Sequence, residues 1–346
     1  MQTEKFGVAK DGQEVFLYTF ENDKRMKMTV SNMGAVLTNL WVPDKDGVLR
    51  DVVLGYDTVL AYENNVDTHF GATIGRSANR IENAEFKLQG KKYKLAKNDS
   101  ENNLHSGPNG YQLRVWKVKK IEEENRSITF SLVSSDGDQG YPGELHLDVT
   151  YQLQEDAVVI TYDAASNEDT IFNPTNHSYF NLNGHESGDI LDHNLQLEAD
   201  SFTPIKDSHS IPTGEVSSVE NTPMDFRLEK KIGKDIEEKY DQLVYAQGYD
   251  HNFVLNEGIE KFAQLTGDQS GIVMEAGTNL PGVQIYTGNF LDNVLGKGGV
   301  AYLFRAGVCL ETQYFPNAVN EKNFVTPLLE KNKKTEYRTY YSFSSV

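Results

Sequence analysis

The sequence predicts an all-β fold, a large antiparallel β-sandwich, and three observations carry that prediction. Short stretches in which apolar and polar residues alternate recur along nearly the whole chain, and a period of two marks a strand with one buried face. Turn signals separate them: Asp11-Gly12, Asp46-Gly47, Asp136-Gly137, Pro142-Gly143, Glu257-Gly258 and Pro281-Gly282. The composition agrees, because 18 Tyr and 17 Phe in 346 residues are side chains that suit a pleated surface.

In chain order, the expected strands cover residues 15–20, 35–42, 52–54, 128–133, 145–153, 158–162, 194–197, 253–255, 272–274 and 283–286. At roughly ten residues per strand and turn, the chain would hold about thirty short strands. Two helical signals stand apart. Asp57 is placed to cap a helix in residues 57–62, and Leu228, Ile232 and Ile236 recur every four residues, which predicts a helix within residues 228–240. Both would be peripheral. Helices of adequate length do not separate the strands, so a βαβ architecture is a poor fit. With no internal repeat, low-complexity tract or linker rich in Pro, Gly or Ser, residues 1–346 read as a single domain.

The bulk charge narrows the partners. A net charge of -18 with scattered cations repels a phosphate backbone, so nucleic acid is not an expected partner, and phosphorylated substrates are mildly disfavoured. No membrane-spanning run exists, and residues 1–8 lack the apolar core of a signal peptide, which predicts a cytoplasmic protein without a membrane partner. The single cysteine, Cys309, excludes an internal disulfide and suits a reducing compartment. Flanked by Val308 and Leu310, it reads as a small buried side chain.

Two segments supply acid–base chemistry. In Asn173-Pro174-Thr175-Asn176-His177-Ser178-Tyr179-Phe180-Asn181-Leu182, an extended chain would put Asn173, Thr175, His177, Tyr179 and Asn181 on one face and Phe172, Phe180 and Leu182 on the other. Pro174 has no amide donor and marks an edge or bulge. In residues 307–315, Val308, Leu310 and Tyr314 fall on one side and Cys309, Glu311 and Gln313 on the other. One titratable base and one titratable acid are thus offered on polar faces. Moving two protons on a small polar molecule needs both, and needs no metal, cofactor or nucleophile.

Further candidates have competing structural readings. His105 lies in the turn-rich stretch Asn102-Asn103-Leu104-His105-Ser106-Gly107-Pro108, where side chains converge on a cleft or sit at the surface. Arg80, beside Asn79, could bind adjacent hydroxyls with its fork of donors or pair with a carboxylate. Asp250, in Tyr249-Asp250-His251-Asn252, could be a turn residue, and Gln284 needs partners if buried, which a polyhydroxyl ligand would supply. Phosphate-loop, zinc-protease and Gly-x-Ser-x-Gly patterns are all missing, and no histidine pair has metal-ligand spacing beside cysteine.

Taken together, Gly75-Arg76-Ser77-Ala78-Asn79-Arg80-Ile81, Asn103-Leu104-His105, residues 173–182, Asp250-His251-Asn252, Gln284-Ile285-Tyr286-Thr287-Gly288-Asn289 and Leu310-Glu311-Thr312-Gln313 resemble, in order, the motifs of the aldose 1-epimerase family, the galactose mutarotases. The resemblance spans nearly the whole chain. It implies a supersandwich-like fold with an open cleft for a free sugar, and cofactor-independent interconversion of α and β anomers. By resemblance Glu311 is the general base at the C1 hydroxyl, His177 the general acid at the ring oxygen, and His105 a second histidine that polarises the sugar. Asn79, Arg80, Asp250 and Gln284 match sugar-binding positions, and alternation adds Tyr179. The implied arrangement sets residues 177 and 311 facing one another across the width of a pyranose, with Glu311 ionised and His177 protonated near neutral pH. The chain departs from the family pattern at Ser106, where a second glycine is common, and at Tyr111-Gln112-Leu113-Arg114, which bears on the pocket rim. A non-catalytic carbohydrate-binding sandwich and a hexose-6-phosphate epimerase are the alternative readings.

Overall fold

The protein is described by a computed structural model covering residues 1–64 and 67–346. Three antiparallel sheets dominate it, of nine, six and five strands. The nine-stranded sheet is centred on the last strand of the chain, Lys334–Ser345, which pairs with Ala157–Ser166 on one side and Ile272–Thr278 on the other. Its buried residues alternate, Tyr337, Thr339, Tyr341 and Phe343, as a half-buried strand requires. The five-stranded sheet contains residues 2–51 in chain order and adds Met28, Val30, Leu37 and Leu40 to the same core.

The six-stranded sheet carries the site. Tyr179–Phe180, Val308–Gln313, Gly282–Tyr286, Asp250–Val254, Ser201–Thr203 and Ser217–Ser218 lie in that order. On its inner face Phe180, Val308, Leu310, Ile285, Val283 and Phe253 join the core. Tyr341 Oη donates to the Leu310 carbonyl at 3.0 Å, and the Thr312 and Thr339 hydroxyls meet at 2.6 Å. These contacts lock the six-stranded sheet onto the nine-stranded one, so only its other face is available for chemistry.

Several sequence expectations are corrected. No helix forms in residues 228–240: Lys230–Lys231 is an edge strand and Ile232–Lys234 a single 3-10 turn. Ile232 and Ile236 are buried, but Leu228 is 82% exposed, so the every-fourth pattern never forms one face. Gly233 sits in the middle of the stretch, its amide bound to the Leu191 carbonyl at 2.8 Å, and glycine is a poor helix residue. The first helix exists as Val59–Asn64, but the Thr58 hydroxyl accepts from the Ala61 amide at 3.2 Å. The Asp57 carboxylate instead accepts from the Gly298 amide at 2.6 Å. A second helix, Asp241–Ala246, has too few residues to leave a period in the sequence. Residues 52–54 are not a strand; only Val53 bridges, to Phe180.

Candidate active site

Cross-strand register builds the floor of the site. Tyr179 pairs with Cys309, Cys309 with Tyr286, and Tyr286 with Asp250; in the next row Glu311 pairs with Gln284 and Gln284 with Asn252. Directly opposed residues share a face, so these side chains all point away from the core that packs on the inner face, with Tyr179, Cys309 and Tyr286 packing in a second apolar cluster with Phe70. The alternation read from residues 307–315 is therefore borne out, with Cys309, Glu311 and Gln313 together.

Residues 173–182 are not one strand. Thr175–Asn176 pairs with Thr73–Ile74, and Tyr179–Phe180 with Val308–Gln313, so the break near Pro174 and at residues 177–178 lets the segment join two sheets. His177 lies at the junction. Its amide donates to the Ala72 carbonyl at 2.9 Å, and its carbonyl accepts from the Gly71 amide at 2.9 Å. Gly71 has φ +66, and a Cβ there would collide with the Leu37 carbonyl oxygen, so glycine is required. The Ala78 amide donates to the Asn173 carbonyl at 2.6 Å, and Arg80–Ile81 pairs with Asn103–Leu104. The His105 amide then donates to the Asn79 carbonyl at 3.0 Å, and the Asn79 amide to His105 Nδ1 at 3.2 Å. Ser106 adopts φ 69, a conformation suited to the family's glycine, and its Oγ accepts from the Ser77 amide at 2.7 Å. In the Tyr111–Leu113 turn and after it, Arg114 binds Asp138 and lies over the Tyr111 ring, apart from the cavity wall.

The resulting cavity has an empty volume of about 520 Å³ including its mouth, lined by His69, Asn79, Arg80, His105, His177, Tyr179, Asp250, Tyr286, Phe290 and Glu311 among others. Seven of the eight sequence-predicted site residues reach it. Gln284 does not line the wall: its Nε2 donates to Asp250 Oδ1 at 2.7 Å and its Oε1 accepts from Gln313 at 3.3 Å. Protein partners, not a ligand, satisfy that amide. Arg80 fulfils both readings, since its Nε binds Asp99 Oδ2 at 2.7 Å while the side chain lines the cavity.

His177 Nε2 and Glu311 Oε1 are 3.6 Å apart, both side chains nearly inaccessible. A pyranose cannot lie between them, so the expected ring-wide gap is corrected to side-by-side placement. Chemistry favours this, because the anomeric hydroxyl and the ring oxygen are both bonded to C1. Burial raises the Glu311 carboxyl well above the carboxylate range, helped by the charge of Asp250 and opposed by Arg80. Burial likewise lowers His177 to about 3, with the His69 charge acting in the same sense. Burial thus works against the expected ionised Glu311 and protonated His177, pushing both groups toward their neutral forms. Glu311 Oε2 has no hydrogen-bonding partner among the described residues. A buried polar atom left so is explained by a ligand that binds it.

Three rings pack against His177 with centroids within 5.5 Å. His177 stacks on Tyr179 at 5.1 Å and on His69 at 5.5 Å, and His105 meets His177 edge-on at 5.3 Å. Because His105 Nδ1 accepts from Asn79, the neutral ring carries its proton on Nε2, the remaining nitrogen. Nitrogens of His69, His105 and His177 lie within 4.8 Å of one another, as do ligand atoms of His177, Cys309 and Glu311. These are the residues that could hold a metal ion, although ligation through His105 Nε2 would shift its proton to Nδ1, against the Asn79 amide. Sequence reading missed His69, Tyr286 and Phe290. Tyr286 was reachable as the cross-strand neighbour of Cys309; His69 lies outside any alternating stretch.

The family profile described as "Aldose 1-epimerase" matches residues 17–342. The chain belongs to the aldose 1-epimerase family. Among similar members, the galactose mutarotase of Bos taurus is 42% identical over 323 residues, covering 92% of each chain. The aldose 1-epimerase of Escherichia coli K12 is 34% identical over 348 residues, covering 98% of this chain and 99% of its own. An aldose epimerase homologue from C. elegans superposes with a TM-score of 0.88 at 30% identity, over 95% of this chain and 99% of its own. The structure of galactose 1-epimerase from Lactobacillus acidophilus NCFM gives 0.87 at 28% identity, over 99% of this chain and 98% of its own.

Proposed function

We propose that the protein is an aldose 1-epimerase that interconverts the α and β anomers of free aldoses such as galactose and glucose. The observation that carries the reading is the 3.6 Å pair of Glu311 and His177 at the cavity floor. Glu311 takes the proton of the C1 hydroxyl while His177 Nε2 gives a proton to the ring oxygen. The bond from C1 to the ring oxygen breaks and C1 becomes an aldehyde carbon. Rotation about C1–C2 and the reverse transfers close the ring with the opposite configuration.

The starting ion pair forms when sugar hydroxyls hydrogen-bond the carboxylate and the proton crosses to the imidazole. Transfer to the substrate then leaves both groups neutral. Burial of both side chains favours that neutral state and so assists ring opening. Each group contributes about a hundredfold to ten-thousandfold in rate. Asn79, Arg80, Asp250 and His105 bind hydroxyls, Tyr179 supports the His177 ring, and Gln284 acts behind them by holding Asp250. Residues 1–346 act as one domain, in the cytoplasm, where a single buried cysteine stays reduced.

A phosphorylated sugar is a poorer fit. The cavity lining includes Asp67, Asp250 and Glu311 against one arginine, and that arginine already pairs with Asp99. Polarimetry on freshly dissolved α-galactose and α-glucose tests the proposal. Enzyme should speed the approach to equilibrium rotation, with no effect of added metal or nucleotide. An unchanged spontaneous rate, with sugar binding intact, would mark a carbohydrate-binding protein instead.

A further inference from the structure

We propose that His69 is a specificity-determining residue of the sugar site, its neutral imidazole accepting a hydrogen bond from one sugar hydroxyl through Nε2. The inference rests on the epimerase reading and adds a contact to it. His69 lines the same cavity as Glu311 and Asp250, in a segment joined through the Gly71 and Ala72 backbone to His177. Its ring lies 4.8 Å from His105 and 5.5 Å from His177, nearly parallel to the latter.

The direction of its hydrogen bonding follows from one partner. Nδ1 lies 3.2 Å from the Asp67 carbonyl oxygen, and a carbonyl oxygen only accepts, so Nδ1 carries the proton. The ring stays neutral, since burial lowers it to about 4, and Nε2 keeps a free lone pair. His105 has the opposite polarity: Nδ1 accepts from Asn79 and Nε2–H donates. The two rings thus offer one acceptor and one donor side by side, the complement of a hydroxyl oriented by both. Placement beside His177 gives the ring a second effect, holding the general acid between His69 and Tyr179.

Phenylalanine at 69 keeps a flat ring and removes the acceptor; alanine removes both. Anomerisation rates of wild type, H69F and H69A are compared on galactose, glucose and a set of monodeoxy sugars. H69F should raise KM about three- to tenfold on galactose or glucose, the range of one neutral hydrogen bond, with kcat within twofold. On the one deoxy sugar that lacks the partner hydroxyl, H69F and wild type should have equal kcat/KM. H69A should lose kcat as well, because the His177 ring loses its stacking partner. H69F equal to wild type on every sugar, or impaired by the same factor on every sugar including all deoxy forms, would overturn the proposal. Wild-type enzyme without anomerisation on any sugar would instead overturn the epimerase reading, a distinguishable failure.

Discussion

At the scale of single residues, two neighbours are pushed toward neutrality from opposite directions by their surroundings. His177 is lowered to about 3 and Glu311 raised well above its usual range, so between those limits the pair keeps one proton. A second proton arrives only below the ordinary histidine range, and the last leaves only above the ordinary carboxylate range. The acid limb of kcat/KM against pH should therefore lie well below 6.5, toward the lowered His177 value. An acid limb at 6.5 would place a solvated imidazole in the reaction. Acting as one unit, the two should also be non-additive. E311Q and H177N should each lose about a hundredfold to ten-thousandfold, and the double variant about as much as the worse single. Multiplying losses would show independent roles. Glu311 was legible because alternation assigns faces along a continuous strand, and His177 through the motif around it; Tyr179 was added by counting across residues 177–178, where the strand breaks. The side-by-side spacing of Glu311 and His177 was not legible, because register between strands separated by more than a hundred residues is set by the whole sheet.

At the scale of elements, the site depends on segments that hold other segments. Gly71 links the His69 loop to His177 and has a conformation that side chains resist. G71V should lower stability by about 1–3 kcal/mol or more in urea unfolding, and lower activity further per folded molecule. Wild-type activity in a destabilised G71V would show that this link does not position His177. Gln284 faces Glu311 across the strands and donates to Asp250. Q284L leaves a buried carboxyl without that donor, at a cost of about 1–3 kcal/mol. Its effect should appear chiefly in KM for the sugar; a pure kcat effect would assign Gln284 a part in proton transfer. Turn signals and alternation located strands such as Leu145–Leu153 and Asn194–Leu197 to the residue. Lys334–Ser345 escaped notice, because its outward residues, Lys334, Glu336 and Arg338, mask the inward aromatics. The every-fourth pattern at residues 228–240 misled because apolar spacing alone cannot tell a helix face from residues buried by separate turns.

At the scale of the whole molecule, the fold encloses many histidines in their neutral form. His177 and His251 are lowered to about 3, His69 and His193 to about 4, and His105 and His185 in the same direction, all chiefly by burial. An unfolded histidine binds its proton near 6.5, so below that pH the unfolded chain holds more protons than the native one. Stability from these groups is complete above 6.5 and is lost progressively as pH falls from 6.5 to their native values. Glu311 and Asp250, raised by burial, act oppositely: their contribution is present below the ordinary carboxylate range and lost as pH rises. Histidines outnumber them, so the urea midpoint should be lower at pH 5 than at pH 7; equal midpoints would mean that the buried rings are already protonated. The all-β class was legible in the sequence since strands such as Leu145–Leu153 and Asn194–Leu197 repeat the same period. The layering was not, since the central strand of the largest sheet comes last in the chain.

All three scales meet in one claim, that adjacent carboxyl and imidazole groups open and reclose a hemiacetal. Exchange NMR on glucose at anomeric equilibrium, where α and β C1 protons give separate signals, tests it most directly. Wild-type protein should produce cross-peaks between the two anomers on the second timescale, and E311Q, folded and still binding sugar, should abolish them. Undiminished exchange in E311Q would contradict the account.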